Sequence, residues 1–274
     1  MKLIVGVVFA LLVVLATATE DEIDWSHVSN RVGRITNGRE VIRNAHPYQA
    51  GLLVSTSILG TSLCGGAIIS ARNVLTSASC IQGTRSTQVV LGAHRITTAN
   101  EVGQQRQTVQ PANYRVHSQY NAATNLNDIA LLLLPTAVVF NTFIRASILP
   151  TGSEVTNQWA NAVGRVTGWG QMADSSTTTA LDLRYIENTI MSNANCANTF
   201  GTIITPSNIC MQTTGGRSSC NGDIGGPLTV QSGGRTVQVG IISFHAAAGC
   251  ERGFPAVFTR VASYLPWISA NSIA

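Results

Sequence analysis

The residues able to do chemistry gather in three short stretches: Leu75-Thr76-Ser77-Ala78-Ser79-Cys80, Asn127-Asp128-Ile129-Ala130-Leu131 and Cys220-Asn221-Gly222-Asp223-Ile224-Gly225-Gly226-Pro227. The candidate bases are His27, His46, His94, His117 and His245. Ser79 is no base near neutrality, because its hydroxyl pKa is far too high, and Ile224 has no lone pair with which to attack. The six cysteines are Cys64, Cys80, Cys196, Cys210, Cys220 and Cys250. None stands two to four residues from another or from a suitable histidine, so zinc-ligand spacing is absent. In a secreted chain they imply a disulfide framework, for which spacing alone leaves 15 connectivities open.

The elements that must hold these groups read as strands. Short apolar or alternating runs recur between turn residues at 50–55, 66–70, 88–92, 129–134, 164–168, 183–191, 228–231, 237–243 and 257–261, which predicts an all-β chain. Residues 262–270 predict a short terminal helix with Leu265, Trp267 and Ile268 turned inward. A chain of 274 residues, 45% hydrophobic, only 11% charged and with 25 glycines, suits a compact, loop-rich β protein rather than disorder. The formal charge of +4 forms no basic run, which argues against nucleic-acid binding. There is no nucleotide-binding glycine pattern and no zinc-ligand spacing, so no cofactor and no metal are expected.

Lys2, the apolar stretch Leu3 to Ala16 and the small-x-small site Ala16-Thr17-Ala18 read as a secretory leader over residues 1–18. The apolar run is short of the ~20 residues that span a bilayer. Residues 19–34 lack cysteine and apolar periodicity and should not fold alone. Lys2 is the only lysine, and the other 16 cationic side chains are arginine. Arginine stays charged above pH ~12, whereas lysine loses its proton near ~10. A lysine-free mature chain therefore suits an alkaline extracellular fluid such as a gut lumen.

The three stretches, with Cys64-Gly65-Gly66 and Gly168-Trp169-Gly170, resemble trypsin/chymotrypsin-like serine proteases from Ile35 to the C-terminus. Pro47-Tyr48-Gln49-Ala50-Gly51-Leu52 and Gly249-Cys250-Glu251 resemble the arthropod digestive chymotrypsin and collagenase branch. The resemblance implies two packed six-stranded antiparallel β-barrels, about 35–150 and 151–274, with a short C-terminal helix. It implies the disulfides Cys64–Cys80, Cys196–Cys210 and Cys220–Cys250. It also implies zymogen cleavage between Arg34 and Ile35, whose new ammonium would pair with Asp223. Removing residues 1–34 leaves 14 arginines against 9 acids, a formal charge of +5.

In the family a serine attacks, a histidine shuttles the proton and an aspartate orients the histidine. Asp128 matches the aspartate, Ser79 stands at the histidine position and Ile224 at the serine position, so no intact triad is expected. The amides of Gly222 and Ile224 match the oxyanion hole. Ser218 matches the floor of the primary pocket, Ala256 its lower wall, and Ser243 and His245 the substrate-lining strand. His245 stands where the family usually has glycine, and should narrow the pocket mouth. His27 belongs to the leading segment, and His46, His94 and His117 read as solvated surface side chains. On these grounds the chain is expected to be no enzyme. The expectation is a monomeric secreted homologue that acts by binding protease inhibitors, peptides or an active protease. The alternative is a secreted chymotrypsin-like digestive endopeptidase with an atypical site.

Overall fold

The computed structural model describes residues 38–56 and 60–274. The leader, the segment 19–34 and the Arg34–Ile35 bond lie outside the described residues. The first barrel is made from β2 (Gln49–Ser55), β3 (Thr61–Ser70), β4 (Asn73–Thr76), β5 (Ser86–Leu91), β6 (Gln105–Val109), β7 (Tyr114–Val116) and β8 (Ala130–Leu133). They lie in the order β6-β5-β2-β3-β4-β8-β7, all antiparallel. Between β6 and β7 a 3-10 turn starts at Pro111. Proline has no N–H to give a ladder, so the strand breaks there. β6 and β7 are thus two halves of one bent strand, and the barrel has six strands in effect.

The second barrel uses β9 (Val163–Gly168), β10 (Arg184–Met191), β11 (Asn208–Met211), β12 (Pro227–Ser232), β13 (Arg235–Phe244) and β14 (Ala256–Arg260). Their order β10-β11-β14-β13-β12-β9 is closed by β9 pairing with β10. A two-residue strand, β1 (Arg39–Glu40), adds to β10 from outside. Closure leaves few free edges, which protects a β protein from edge pairing. Between β8 and β9 the chain makes a 3-10 turn, Gly152–Val155. Thr151 and Glu154 form its capping box, and Glu154 pairs with Arg235 at 2.9 Å.

Alternating apolar side chains fill each barrel: Leu52, Val54, Ile68 and Val89 in the first, Val166, Ile190, Leu228 and Phe258 in the second. A fully buried side chain of this size contributes about 1.5–3 kcal/mol over its exposed state. The helices are α1 (Ala78–Ile81), α2 (Asn193–Phe200) and α3 (Leu265–Asn271). In α3, Ile268 is buried and Leu265 and Trp267 are half-buried, against a cluster that includes Leu75, Ile129 and Leu131. The start anticipated at Ala262 is instead a 3-10 turn, Val261–Tyr264. No helix among the described residues is long and apolar enough to cross a membrane.

Candidate functional site

Helix α1 is short because its work is positional. Ala78, Cys80 and Ile81 face the core and Cys80 is bonded to Cys64 on β3, so Ser79 is the residue left facing out. The other disulfides are Cys196–Cys210, tying α2 to β11, and Cys220–Cys250, joining two loops beside the cleft. Asp128 lies just ahead of β8 and is fully buried. Asn127 turns the chain there with φ +56°, its Oδ1 accepting from the Tyr264 hydroxyl at 2.8 Å.

The Asp128 carboxylate is held by hydroxyls and an amide. Oδ1 accepts from the Ser79 amide at 2.8 Å. Oδ2 lies 3.0 Å from Ser79 Oγ and 2.7 Å from Ser243 Oγ, which both donate to it. Burial pushes its pKa above the ordinary carboxylate value, and the hydrogen bonds from Ser243 and Ser79 work against that rise. Ser79 Oγ also lies 3.0 Å from Ser77 Oγ. The structure therefore brings Ser79, Asp128 and Ser243 into one network.

The loop 220–226 is shaped around Asp223, which is fully buried and accepts from the Gly170 amide at 2.7 Å and the Cys220 amide at 2.9 Å. Desolvation raises its pKa to about 7 against the pull of those amides. Gly65 and Gly226 meet backbone to backbone: a Cβ on Gly65 would lie 2.6 Å from Gly226 Cα. The Gly65 amide donates to the Ile224 carbonyl at 2.7 Å. Among the described residues, neither the Gly222 nor the Ile224 amide donates to a protein acceptor, which leaves both for a ligand oxygen. Gly222 has φ +96°, a conformation that favours glycine. The Ile224 side chain is half-buried and packs against the cores of both barrels.

Beside Ile224 opens a cleft of about 500 Å³, lined by Gln171, Asn221, Ser243, Phe244 and His245 among others. Ser218 and Ala256 are buried and do not line it. His245 Nε2 lies 2.9 Å from Ser219 Oγ. Asp174 stands near Cys220 and Cys250, but the two sulfurs are bonded to each other and offer no thiolate to a metal.

Three histidines depart from a solvated surface reading. His46 is buried, with Nδ1 3.0 Å from the Tyr48 hydroxyl, and burial drives its pKa down to about 3. His94 pairs with Glu40 at 3.2 Å. His117 packs against the rings of Tyr264 and Trp267. In each case an imidazole is apolar enough to be covered and finds a neighbour a few residues or a whole barrel away, which a linear reading misses. Tyr120 was also missed. Burial, then the Asp128 charge, raises its phenol pKa to about 12, against a hydrogen bond with Ser79. Ser219 was missed because its partner lies 26 residues on.

Comparison with known proteins matches this frame along its length. The family model described as Trypsin covers residues 35–268. Brachyurin of Leptuca pugilator is 40% identical over 87% of this chain and 98% of its own. Collagenase of Hypoderma lineatum is 36% identical over 97% and 96% of the two chains, and chymotrypsin of Phaedon cochleariae 37% over 87% and 82%. A solved structure of HL collagenase superposes with a TM-score of 0.77 at 36% identity, covering 86% of this chain and 98% of the other. The expectation that the chain is no enzyme is corrected by these relatives, which carry the names of proteases across almost their full length. Inactivity was inferred from positions 79 and 224 alone, whereas the match to the family runs over residues 35–268. The chain belongs to the trypsin family of serine proteases.

Proposed function

We propose that the chain is a secreted chymotrypsin-like endopeptidase of the digestive type, with an atypical site in which water takes the part of the missing serine hydroxyl. The observation that carries this reading is the buried Asp128 carboxylate, hydrogen-bonded through Oδ2 to the hydroxyl of Ser79, a residue exposed on α1. A polypeptide carbonyl in the cleft would direct its oxygen at the amides of Gly222 and Ile224. A water on Ser79 attacks the carbonyl carbon. Its proton passes to Ser79 Oγ as the serine proton passes to Asp128 Oδ2. The carbon–nitrogen bond then breaks, and the same proton returns through Ser79 to the leaving amine. The raised pKa of Asp128 makes it a better base than an ordinary carboxylate.

Magnitudes keep this route modest. An oxyanion hole and binding alone leave roughly 10³–10⁴-fold acceleration over water, and a positioned base adds about 10²–10⁴. The branched Ile224 side chain crowds the approach and holds the rate at the low end. Cleavage after Arg34 is the activating step in this reading, giving Asp223 an ammonium partner. Three disulfides and an arginine-only mature chain suit an oxidising, alkaline lumen.

The test is a fluorogenic peptide assay on purified chain cleaved after Arg34. Turnover should be slow, unlabelled by a serine-directed phosphonylating reagent, and about 10²-fold lower in Asp128→Asn. Equal rates for wild type, Asp128→Asn and buffer would sink the water route. A second reading, capture of substrate-mimicking inhibitors in the same cleft, is favoured by the apolar Ile224 surface facing it. Pull-down with a Kunitz-type inhibitor tests it, and no retention at micromolar concentration removes it.

A further inference from the structure

His245 lines the cleft beside Ile224, whereas Ser218, Ser219 and Ala256 do not and are 1%, 0% and 1% exposed. β13 stops at Phe244, whose ring meets Phe200 edge to face at 5.5 Å, so the end of the strand is fixed. The next residue is His245, and its Nε2 reaches Ser219 Oγ at 2.9 Å. Burial lowers the His245 pKa to about 4, against the opposing charge of Asp174, so the imidazole is neutral around pH 7. A neutral imidazole is a compact plate with one donor and one acceptor nitrogen, and Ser219 Oγ satisfies Nε2.

We propose that His245, latched to Ser219, fills the primary pocket and makes the site selective for polypeptides with glycine or alanine at the residue that enters it. A bulky apolar side chain would have to turn the imidazole out. That would strand a Ser219 hydroxyl with no solvent exposure, and a buried hydroxyl without a partner is costly. A methyl group or a hydrogen needs no such displacement. The selectivity rests on the reading that the cleft takes polypeptide, but pocket occupancy can be measured without hydrolysis.

The experiment titrates indole, a probe the size of a large apolar side chain, into wild type, His245→Gly and Ser219→Ala by calorimetry. Saturable binding is expected in His245→Gly, at least about tenfold weaker binding in wild type, and an intermediate value for Ser219→Ala. Wild type binding indole as tightly as His245→Gly overturns the plug. So does an absence of binding in a folded His245→Gly. Should His245→Gly fail to fold, Ser219→Ala is decisive, and its equality with wild type overturns the latch. Peptides that differ only in alanine or phenylalanine at the primary position should bind wild type with at least about tenfold preference for alanine. Equal binding by wild type overturns the selectivity. Failure of the water route leaves the indole titration unchanged, so the two readings fail separately.

Discussion

Restoring both altered groups together should create a fast protease where restoring either alone does not. Ser79 is the outward residue of α1, so Ser79→His places an imidazole on the solvent side without displacing core. Asp128 keeps its bonds from the residue-79 amide and from Ser243 Oγ, and gains the imidazole in place of the Ser79 hydroxyl. Ile224→Ser removes three half-buried carbons, a loss of about 1–2 kcal/mol at ~0.8 kcal/mol per buried methylene. A domain with ~5–15 kcal/mol of stability tolerates that. Serine and histidine act as a unit, and losing one costs about as much as losing both, on the order of 10⁶ in kcat. Each 1.36 kcal/mol is tenfold, so the pair is worth about 8 kcal/mol of barrier. Ile224→Ser alone should gain little, Ser79→His alone no more than about 10² as a better base for water, and the double variant roughly 10⁴, the ~10⁶ of the intact pair less the ~10² that the water route already supplies. The assay is kcat/KM on a peptide with alanine at the primary position, with pre-steady-state bursts to detect an acyl-enzyme. A double variant that folds with wild-type melting temperature yet gains less than the sum of the singles refutes the reasoning.

Three further outcomes follow from the same structure. His46 and His245 have folded pKa values of about 3 and 4 against 6.5 for the free side chain. The unfolded chain thus binds more protons below pH 6.5, and stability should fall as pH drops toward 3, by up to about 1.4 kcal/mol per pH unit for each group. Urea titrations at pH 7, 5 and 4 with one midpoint would contradict this. Asp223 has the opposite sign: its pKa rises from 3.8 to about 7, so the uncleaved chain loses stability as pH climbs through that window. Cleavage after Arg34 should therefore raise the melting temperature at pH 8 and change it little near pH 4, and chemical acetylation of the new amine should abolish the gain. Gly65→Ala puts a Cβ 2.6 Å from Gly226 Cα and 2.7 Å from its nitrogen, both backbone atoms. It should cost about 3 kcal/mol or more, read as a lowered denaturation midpoint, and an unchanged midpoint would refute the close approach.

The all-β class and most strands were legible because buried strands keep short apolar runs between turn residues. Gln105–Val109 was not, since only one of its five residues is buried and it carries arginine and glutamine on the outer face. Asn208–Met211 was hidden for another reason: its four residues, an asparagine and a cysteine among them, are all buried and show no alternation. At the site, residues sharing a local motif could be read in place, as with Ser79 and Ile224. Contacts made across the fold could not. Ser243 reaches Asp128 over 115 positions and Ser219 reaches His245 over 26, and neither pairing leaves a local pattern.

The two substitutions at the centre of the site are each matched by a physical compensation. A fully buried carboxylate is destabilising without donors, and Asp128 keeps its stock of them although the imidazole is gone, because Ser79 supplies both its amide and its hydroxyl. Ile224 replaces a reacting hydroxyl with an aliphatic wedge that touches both barrel cores, so a polar edge becomes apolar contact. His245 replaces a slot with a ring whose Nε2 is satisfied by Ser219. All three changes convert space or reactivity into internal contact, and each favours a more closed, better packed cleft. The same packing holds the loop 220–226 in place: the Gly65 amide donates to the Ile224 carbonyl, Gly65 lies against Gly226, and Asp223 accepts from the amides of Gly170 and Cys220.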